Sequence, residues 1–181
     1  RLPDFFLSRK GYIQARAAAD ILEHKPISAI FSSPLRRAVD TAECIAVRHN
    51  DLTVHTIELL NEVYTPYEGR PMGEMDEIGW DVYSGNETPF EKPGEILSRT
   101  HQFISDMLHQ YGGKHVIAVT HGDVIAFMAL WAKGMAITPK DRLLLYRKEH
   151  LAHASITTLV YQTASNKEKP SIEYMIPYKK A

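Results

Sequence analysis

The segment VIAVTHGD, residues 116–123, decides how the rest of the chain is interpreted. Its first four residues are apolar and rich in β-branched side chains, a composition typical of a buried strand. Residues 124–131 are apolar at almost every position, which predicts a helix buried on nearly all sides. His121 and Gly122 are therefore expected where a strand ends and a helix begins.

Alternation of strands and helices continues on both sides of this segment. The spacing of apolar residues predicts helices over 8–22 and 95–111, and a further helix that runs to about residue 47 behind the capping residues Ser32, Ser33 and Pro34. Strands are predicted over 27–31, 52–57, 155–161 and 172–176. This order predicts an α/β domain with a mostly parallel sheet and helices on both faces.

One long irregular region interrupts the alternation. Residues 64–94 hold five of the ten glycines and four of the ten prolines, and irregular segments of this length are commonly lids or substrate-binding loops. We expect this lid segment to cover the leaving group of a substrate. Its aromatic residues Trp80, Tyr83 and Phe90 could stack on that group or simply pin the segment to the domain.

Composition limits the class of partner. The chain has 181 residues, 44% hydrophobic and 24% charged, with a formal net charge of -1, so it offers no field that would attract nucleic acid. The longest apolar run, 124–132, is about half the length that a membrane span needs. The single cysteine, Cys44, excludes a disulfide framework and favours a reducing, cytoplasmic location.

Two strand-to-helix junctions carry residues suited to binding an anion. In SSPLRRAVDTA, residues 32–42, Arg36 and Arg37 fall in the first helical turn, where cations oppose the helix dipole unless something negative compensates. In the second junction, the imidazole of His121 can hydrogen-bond the same anion, and Gly122 lets the backbone approach it closely. Helix N-termini beyond parallel strands are common anion sites.

Together with NEVYTPYEG, residues 61–69, these two segments resemble the histidine phosphatase superfamily, the phosphoglycerate mutase-like family. The resemblance covers residues 7–155 and implies a three-layer α/β/α fold. It also implies phosphoryl transfer without metal or cofactor, in which a neutral histidine attacks phosphorus, a phosphohistidine forms, and water releases phosphate.

The resemblance assigns roles residue by residue. Arg37 would bind phosphate, His121 would donate to the phosphoryl oxygens, and Glu62 would protonate the leaving oxygen. Glu58 or Glu68 could be the acid instead. The substrate-binding set is then Arg37, His121 and Gly122, whereas Arg36 is expected to face solvent.

A metal site is not expected. The spacing of His150 and His153 in HLAH would suit two ligands one helical turn apart, but no third ligand follows at a suitable distance. Arg70 and Arg99 could hold a second anionic group of the substrate, or could be ordinary surface arginines.

The sequence departs from the family at the nucleophile, which the family carries in an Arg-His-Gly segment after its first strand. Residues 1–6 contain no histidine. Losing the buried side chains of a central strand would forfeit roughly 6–15 kcal/mol, comparable to the stability of a whole domain. We therefore expect an upstream strand ending in Arg-His-Gly, with residues 1–181 forming a single domain that lacks only this first strand.

The favoured function is hydrolysis of a small phosphomonoester. A phosphoglycerate mutase is the alternative within enzymes, although mutases of the family generally have a longer insertion after the region of Glu62. A non-catalytic module that binds phosphorylated ligands is the alternative outside enzymes.

Overall fold

A computed structural model describes residues 5–50, 52–149, 151–163, 165 and 168–178. The helices are α1 (Arg9–Leu22), α2 (Arg36–Ala46), α3 (Met72–Glu77), α4 (Pro93–Tyr111), α5 (Gly122–Ala132) and α6 (Pro139–Glu149), with a 3-10 turn at Glu58–Leu60. The strands are β1 (Ile27–Ser32), β2 (Val54–Thr56), β3 (His115–Val119), β4 (Ile156–Val160) and β5 (Ser171–Met175).

The predicted parallel sheet is confirmed in β1, β2 and β3, which are ordered β2-β1-β3. β4 and β5 form a separate antiparallel pair. Because β1 and β3 run parallel and in register, Ser32 lies opposite Val119 at their carboxyl ends. The backbone N–H of Ser33 then donates to the carbonyl of Val119 over 2.9 Å. The two junctions identified in the sequence are thus neighbours in space.

Helices cover both faces of this sheet. Adjacent strand residues point to opposite faces, and in β1 the side chain of Ile30 packs with Ala42 and Ile45 of α2. The ring of Phe31 instead meets Phe103 and Tyr111 of α4, with centroid separations of 5.7 and 6.0 Å. The predicted three-layer α/β/α arrangement is therefore confirmed.

A second apolar cluster surrounds α5. Phe127 and Leu130 are fully buried there, among side chains from α4, α6 and the lid segment that include Ile96, Leu145 and Tyr83. The expectation of a helix buried on nearly all sides is confirmed. None of the described helices is both long and apolar enough to cross a membrane.

Several predicted boundaries need correction. α2 begins at Arg36, and its N-cap residue Leu35 provides no side-chain cap, although the N–H of Leu35 donates to Oγ of Ser33 at 3.3 Å. β2 is shorter than predicted because it pairs only along Val54–Thr56. The lid segment is not wholly irregular, since it contains α3, and Pro93 already belongs to α4. α6 was not predicted, because its residues show almost no apolar periodicity.

Candidate active site

Three polar side chains meet at the carboxyl end of the sheet, each from a different part of the chain. Nη2 of Arg37 on α2 lies 3.3 Å from Nδ1 of His121 and 3.5 Å from Oε2 of Glu62. The same imidazole nitrogen is 3.3 Å from Oε2 of Glu62. The structure thus brings together the three residues to which the sequence assigned catalytic roles.

The first turn of α2 directs its two arginines differently. Arg36 is exposed and pairs with Asp40 one turn later, with a distance of 2.7 Å from Nε to Oδ1, which confirms the expectation that it faces solvent. Arg37 is half-buried and reaches the site through Nη2. Within the described residues its Nε and Nη1 make no hydrogen bond, so the guanidinium keeps donors available to an anion.

The ring of His121 is held from behind. Its Nε2 lies 2.8 Å from Oγ of Ser33, and this hydroxyl lies within 3.5 Å of Oδ1 of Asn61. His121 itself is 6% exposed. Nδ1 is therefore the ring nitrogen that faces Arg37 and Glu62. Sequence reasoning missed Ser33 and Asn61, although each belongs to a segment that carried the resemblance.

Glu62 has an unusual protonation equilibrium for a carboxyl group. Burial, and next the negative charge of Asp123, raise its pKa to about 6, against the opposing effects of the Val63 N–H and Arg37. The Val63 N–H donates to Oε1 over 3.0 Å. Glu62 can therefore hold a proton under mildly acidic conditions, as a general acid must.

The two other candidate acids occupy different positions. Glu58 accepts a hydrogen bond from Nδ2 of Asn61 at 2.8 Å and so supports the residue that precedes Glu62. Glu68 lines the same cavity as Arg37. Glu62 contacts both Arg37 and His121, at 3.5 and 3.3 Å.

A cavity of about 420 Å³ opens beside Arg37 and Glu62. Its remaining wall is mostly apolar and comes largely from the lid segment: Phe5, Val63, Thr65, Tyr67, Glu68, Gly69, Met75 and Val82. A volume of this size accommodates a small organic group attached to the phosphate.

The three aromatic residues of the lid segment differ in what they contact. Tyr83 is buried and packs edge-on against Phe127, with centroids 5.3 Å apart. Phe90 packs against Tyr64 at 5.1 Å. Trp80 is 37% exposed and donates from Nε1 to Asp76 over 2.8 Å. The pinning alternative thus describes Tyr83, because these partners of Phe90 and Trp80 belong to the lid segment itself.

The two extra arginines are also engaged within the chain. Nε of Arg99 donates to Glu91 and Nη1 donates to the carbonyl of Leu59, both over 2.7 Å. Arg70 pairs with Glu74 at 3.0 Å. Arg99 therefore ties the end of the lid segment to the 3-10 turn.

A second polar cluster is centred on Asp123, two residues after His121, and we call Tyr83, Asp123, Arg142 and Tyr146 the Asp123 cluster. Asp123 accepts hydrogen bonds from the Tyr83 hydroxyl at 2.5 Å, Nε of Arg142 at 2.7 Å and the Tyr146 hydroxyl at 2.9 Å. No local pattern in the sequence predicts this cluster, although Asp123 is the last residue of VIAVTHGD.

Gly122 lies between the two clusters as the first residue of α5. A Cβ atom at this position would collide with the hydroxyl of Tyr146. Packing against Tyr146 thus favours glycine at position 122. The role of Gly122 in binding phosphate stays a prediction.

Among the residues that the structure describes, no group of three or more histidine, cysteine, aspartate or glutamate side chains could hold a metal ion. His150, one of the two histidines considered as ligands, lies outside the described residues. The carbonyl of His153 accepts a hydrogen bond from the Tyr178 hydroxyl.

An α/β/α domain with an arginine and a histidine at neighbouring strand ends defines the phosphoglycerate mutase-like class of proteins. Sequence comparison agrees, because a family model of the histidine phosphatase superfamily (branch 1) matches residues 1–169. The chain belongs to this superfamily.

Individual relatives agree with this assignment. An uncharacterized protein of Mycobacterium tuberculosis is 33% identical over 168 residues, which cover 89% of this chain and 80% of the relative. Phosphoglycerate mutase-like protein 4 of Arabidopsis thaliana is 32% identical over 133 residues, 67% of this chain and 58% of that protein. The crystal structure of a phosphoserine phosphatase from Entamoeba histolytica superposes with a TM-score of 0.72 at 25% identity, covering 96% of this chain and 85% of that one. Family and neighbours together indicate an enzyme of phosphatase type.

Proposed function

We propose that the protein is a phosphatase that hydrolyses a small phosphomonoester through a phosphohistidine intermediate, without a metal ion. The observation that carries the proposal is the convergence of Arg37, His121 and Glu62 within 3.5 Å of one another, beside a cavity of about 420 Å³. The three residues supply three of the four functions that such a reaction needs, namely anion binding, charge stabilisation and proton donation; the fourth is the nucleophile.

Arg37 and His121 bind the phosphoryl group in this proposal. The planar guanidinium matches two phosphate oxygens, and the unused donors of Arg37 support this role. Nδ1 of His121 faces the same space and donates to an oxygen on which negative charge grows during transfer. Ser33, bonded to Nε2 over 2.8 Å, keeps the ring in the orientation that this contact requires.

Glu62 protonates the oxygen of the leaving group. Its pKa of about 6 keeps the carboxyl partly protonated near pH 6, and it borders the cavity that would hold this group. After transfer, the resulting carboxylate takes a proton from the water molecule that attacks the phosphohistidine. Glu62 thus acts first as an acid and then as a base.

The nucleophile is a histidine that we expect in a strand upstream of Arg1, ending in Arg-His-Gly. The exposed edge of β3 supports this placement, because in the described part of the chain β3 pairs only with β1. Its apolar residues Val116 and Ile117 are only half-buried, and Ala118 is exposed. An added strand at this edge would cover these residues and end beside His121.

The proposal is tested by incubating the natural full-length protein with an aryl phosphate in excess EDTA, with a His121→Ala variant as control. Release of phosphate by the wild type, a loss of at least tenfold in the variant, and trapping of an acid-labile, alkali-stable phosphoenzyme are expected. A requirement for a bisphosphoglycerate primer would indicate a mutase. Phosphate binding without any turnover would indicate a non-catalytic module, and either result contradicts the proposal.

A further inference from the structure

The polar atoms of the Asp123 cluster have more hydrogen-bond partners, at shorter distances, than those of the candidate active site. The carboxylate of Asp123 receives three hydrogen bonds of 2.5–2.9 Å, and its side chain and that of Arg142 are only 9% and 8% exposed. Burying an ion pair is costly unless its remaining polar atoms are satisfied. Asp123 lies two residues after His121, and neither it nor Arg142 takes part in the proposed chemical steps.

The cluster joins three parts of the molecule. Tyr83 belongs to the lid segment, Asp123 to α5, and Arg142 and Tyr146 to α6. A second bond to the lid runs from Nη1 of Arg142 to the carbonyl of Trp80, over 2.8 Å. The guanidinium of Arg142 also lies over both tyrosine rings, 5.6 and 5.1 Å from their centroids.

Fixing the lid at this point fixes the wall of the cavity. Val82, which directly precedes Tyr83, lines the cavity beside Arg37 and Glu62. A movement of the Trp80–Tyr83 segment away from α5 would therefore change the space that receives the leaving group. The hydrogen bonds of Tyr83 and Trp80 to the cluster oppose such a movement.

The cluster also acts electrostatically on Glu62. Arg37 from α2 and His121, the residue before α5, face this carboxyl group directly, and Glu68 of the lid segment lines the same cavity. Burial makes the largest contribution to the raised pKa of Glu62, and the negative charge of Asp123 makes the next largest. Arg142, the bonded partner of Asp123, offsets part of that charge.

We propose that Asp123 is a positioning residue: through its bonds to Tyr83 and Arg142 it fixes the lid segment against α5 and α6. Two residues from the His121 ring that contacts Glu62, it also places a negative charge near this carboxyl group, without contacting the substrate. This inference rests on the proposed phosphatase function, since Glu62 must act as the acid for that charge to matter. Asp123 would thus contribute to both the shape of the cavity and the protonation of the acid.

The decisive experiment measures kcat/KM against pH for the full-length wild type and an Asp123→Asn variant with an aryl phosphate. In the wild type, the alkaline limb reports deprotonation of Glu62. Removing a nearby negative charge lowers the pKa of a carboxyl group, so the limb is expected to move to lower pH by about half a pH unit or more. A purely structural role would lower the rate without moving the limb.

Two further variants separate the lid contact from the charge. Tyr83→Phe removes the lid hydroxyl and leaves every charge in place, so it is expected to raise KM several-fold with the limb unmoved. Tyr146→Phe removes the same kind of donor from α6, and its KM is expected to change less than twofold. An equal effect of the two variants on KM would overturn the assignment of a lid contact.

The Asp123→Asn change leaves the cation of Arg142 buried without its partner, and the variant could fail to fold. The double variant Asp123→Asn, Arg142→Met removes both charges and keeps the bulk of the buried side chains, so its alkaline limb is measured as well. Because the double variant also loses the opposing charge of Arg142, its limb is expected to move in the same direction as that of Asp123→Asn, but by less. A limb at the wild-type pH in Asp123→Asn, or in the double variant where the single variant does not fold, would overturn the proposed electrostatic role. Absence of turnover in the wild type would instead overturn the proposed phosphatase function.

Discussion

The protein contains two arginine–carboxylate clusters on either side of Gly122, and they are built in opposite ways. In the buried cluster, Arg142 and Asp123 meet at 2.7 Å, with two tyrosine hydroxyls completing the carboxylate's partners. In the candidate site, Arg37 reaches Glu62 only at 3.5 Å and remains 31% exposed. The tight pair is satisfied by its own chain, whereas the loose pair retains donors for a ligand.

Residue type alone therefore does not identify an arginine that binds a ligand. Both guanidinium groups lie near a carboxylate and near α5, yet Arg142 donates its hydrogen bonds to Asp123 and to the Trp80 carbonyl. Unused donors on a half-buried cation indicate a ligand site, and short bonds to buried acceptors indicate a structural pair.

The largest effect is expected when the tight pair is broken. Arg142→Ala leaves the Asp123 carboxylate buried without its cation, which should lower the free energy of unfolding by about 3–5 kcal/mol. Urea denaturation measures this loss. Arg37→Ala, the matched change in the loose pair, should cost less than about 1 kcal/mol, because partly exposed pairs contribute little. Equal losses would remove the distinction between the two clusters.

Activity should respond in the reverse order. Arg37→Ala removes a donor to the transferring phosphoryl group and is expected to lower kcat/KM by about 10²–10³-fold. Steady-state hydrolysis of an aryl phosphate measures the change, and Arg37→Lys, which keeps the charge but loses the planar fork, should fall in between. Arg36→Ala is the control, because this neighbouring arginine pairs with Asp40 at the surface. A loss below tenfold for Arg37→Ala would argue against phosphate binding.

The sequence identified the residues of the candidate active site far better than those of the Asp123 cluster. Arg37 and His121 stood in segments whose order resembled a family, and each followed a recognisable strand. The partners of Asp123 lie 40, 19 and 23 residues away along the chain, in segments without a strong pattern. No local signal could connect them, since their contact is created by the packing of α6 and the lid segment on α5.

The fold was predictable to a similar degree. Elements with clear apolar periodicity or buried runs, such as α4 and α5, were found close to their observed bounds. α6 was missed because its leucines are consecutive and only Leu145 is fully buried. The six-residue helix α3 was missed because Pro71 and several glycines lie in and around it. A helix of fewer than two turns is also too short to show apolar periodicity.

The protonation of Glu62 should be visible in stability as well as in rate. A rise in its pKa from 4.5 to about 6 corresponds to about 2 kcal/mol. Because the pKa is higher in the folded protein, this contribution is present below pH 4.5 and is lost as pH rises through 6.

Unfolding measured at pH 4 and pH 7 for the wild type and Glu62→Gln tests this prediction. The stability of the wild type relative to the variant should fall by about 2 kcal/mol between the two pH values. A difference that stays constant, or that grows with pH, would contradict the raised pKa.

The smallest effect is expected at Gly122, where the two clusters meet. Gly122→Ala places a methyl group against the Tyr146 hydroxyl, and overpacking of this kind should cost about 1 kcal/mol. The hydroxyl cannot move freely, since it is bonded to Asp123 over 2.9 Å. Thermal unfolding measures the loss, and adding Tyr146→Phe should recover part of it. If adding Tyr146→Phe restores no stability, the contact with the Tyr146 hydroxyl is not the source of the loss.

The central claim is that Arg37 and His121 bind one phosphoryl group together. The most direct test follows the imidazole nitrogen resonances of His121 by NMR while inorganic phosphate is added to the full-length protein. The resonances should shift with saturation in the wild type and in Arg36→Ala, and Arg37→Ala should weaken the fitted Kd for this same shift by at least tenfold. A His121 resonance that ignores phosphate, or that titrates with the same Kd without Arg37, would contradict the shared site.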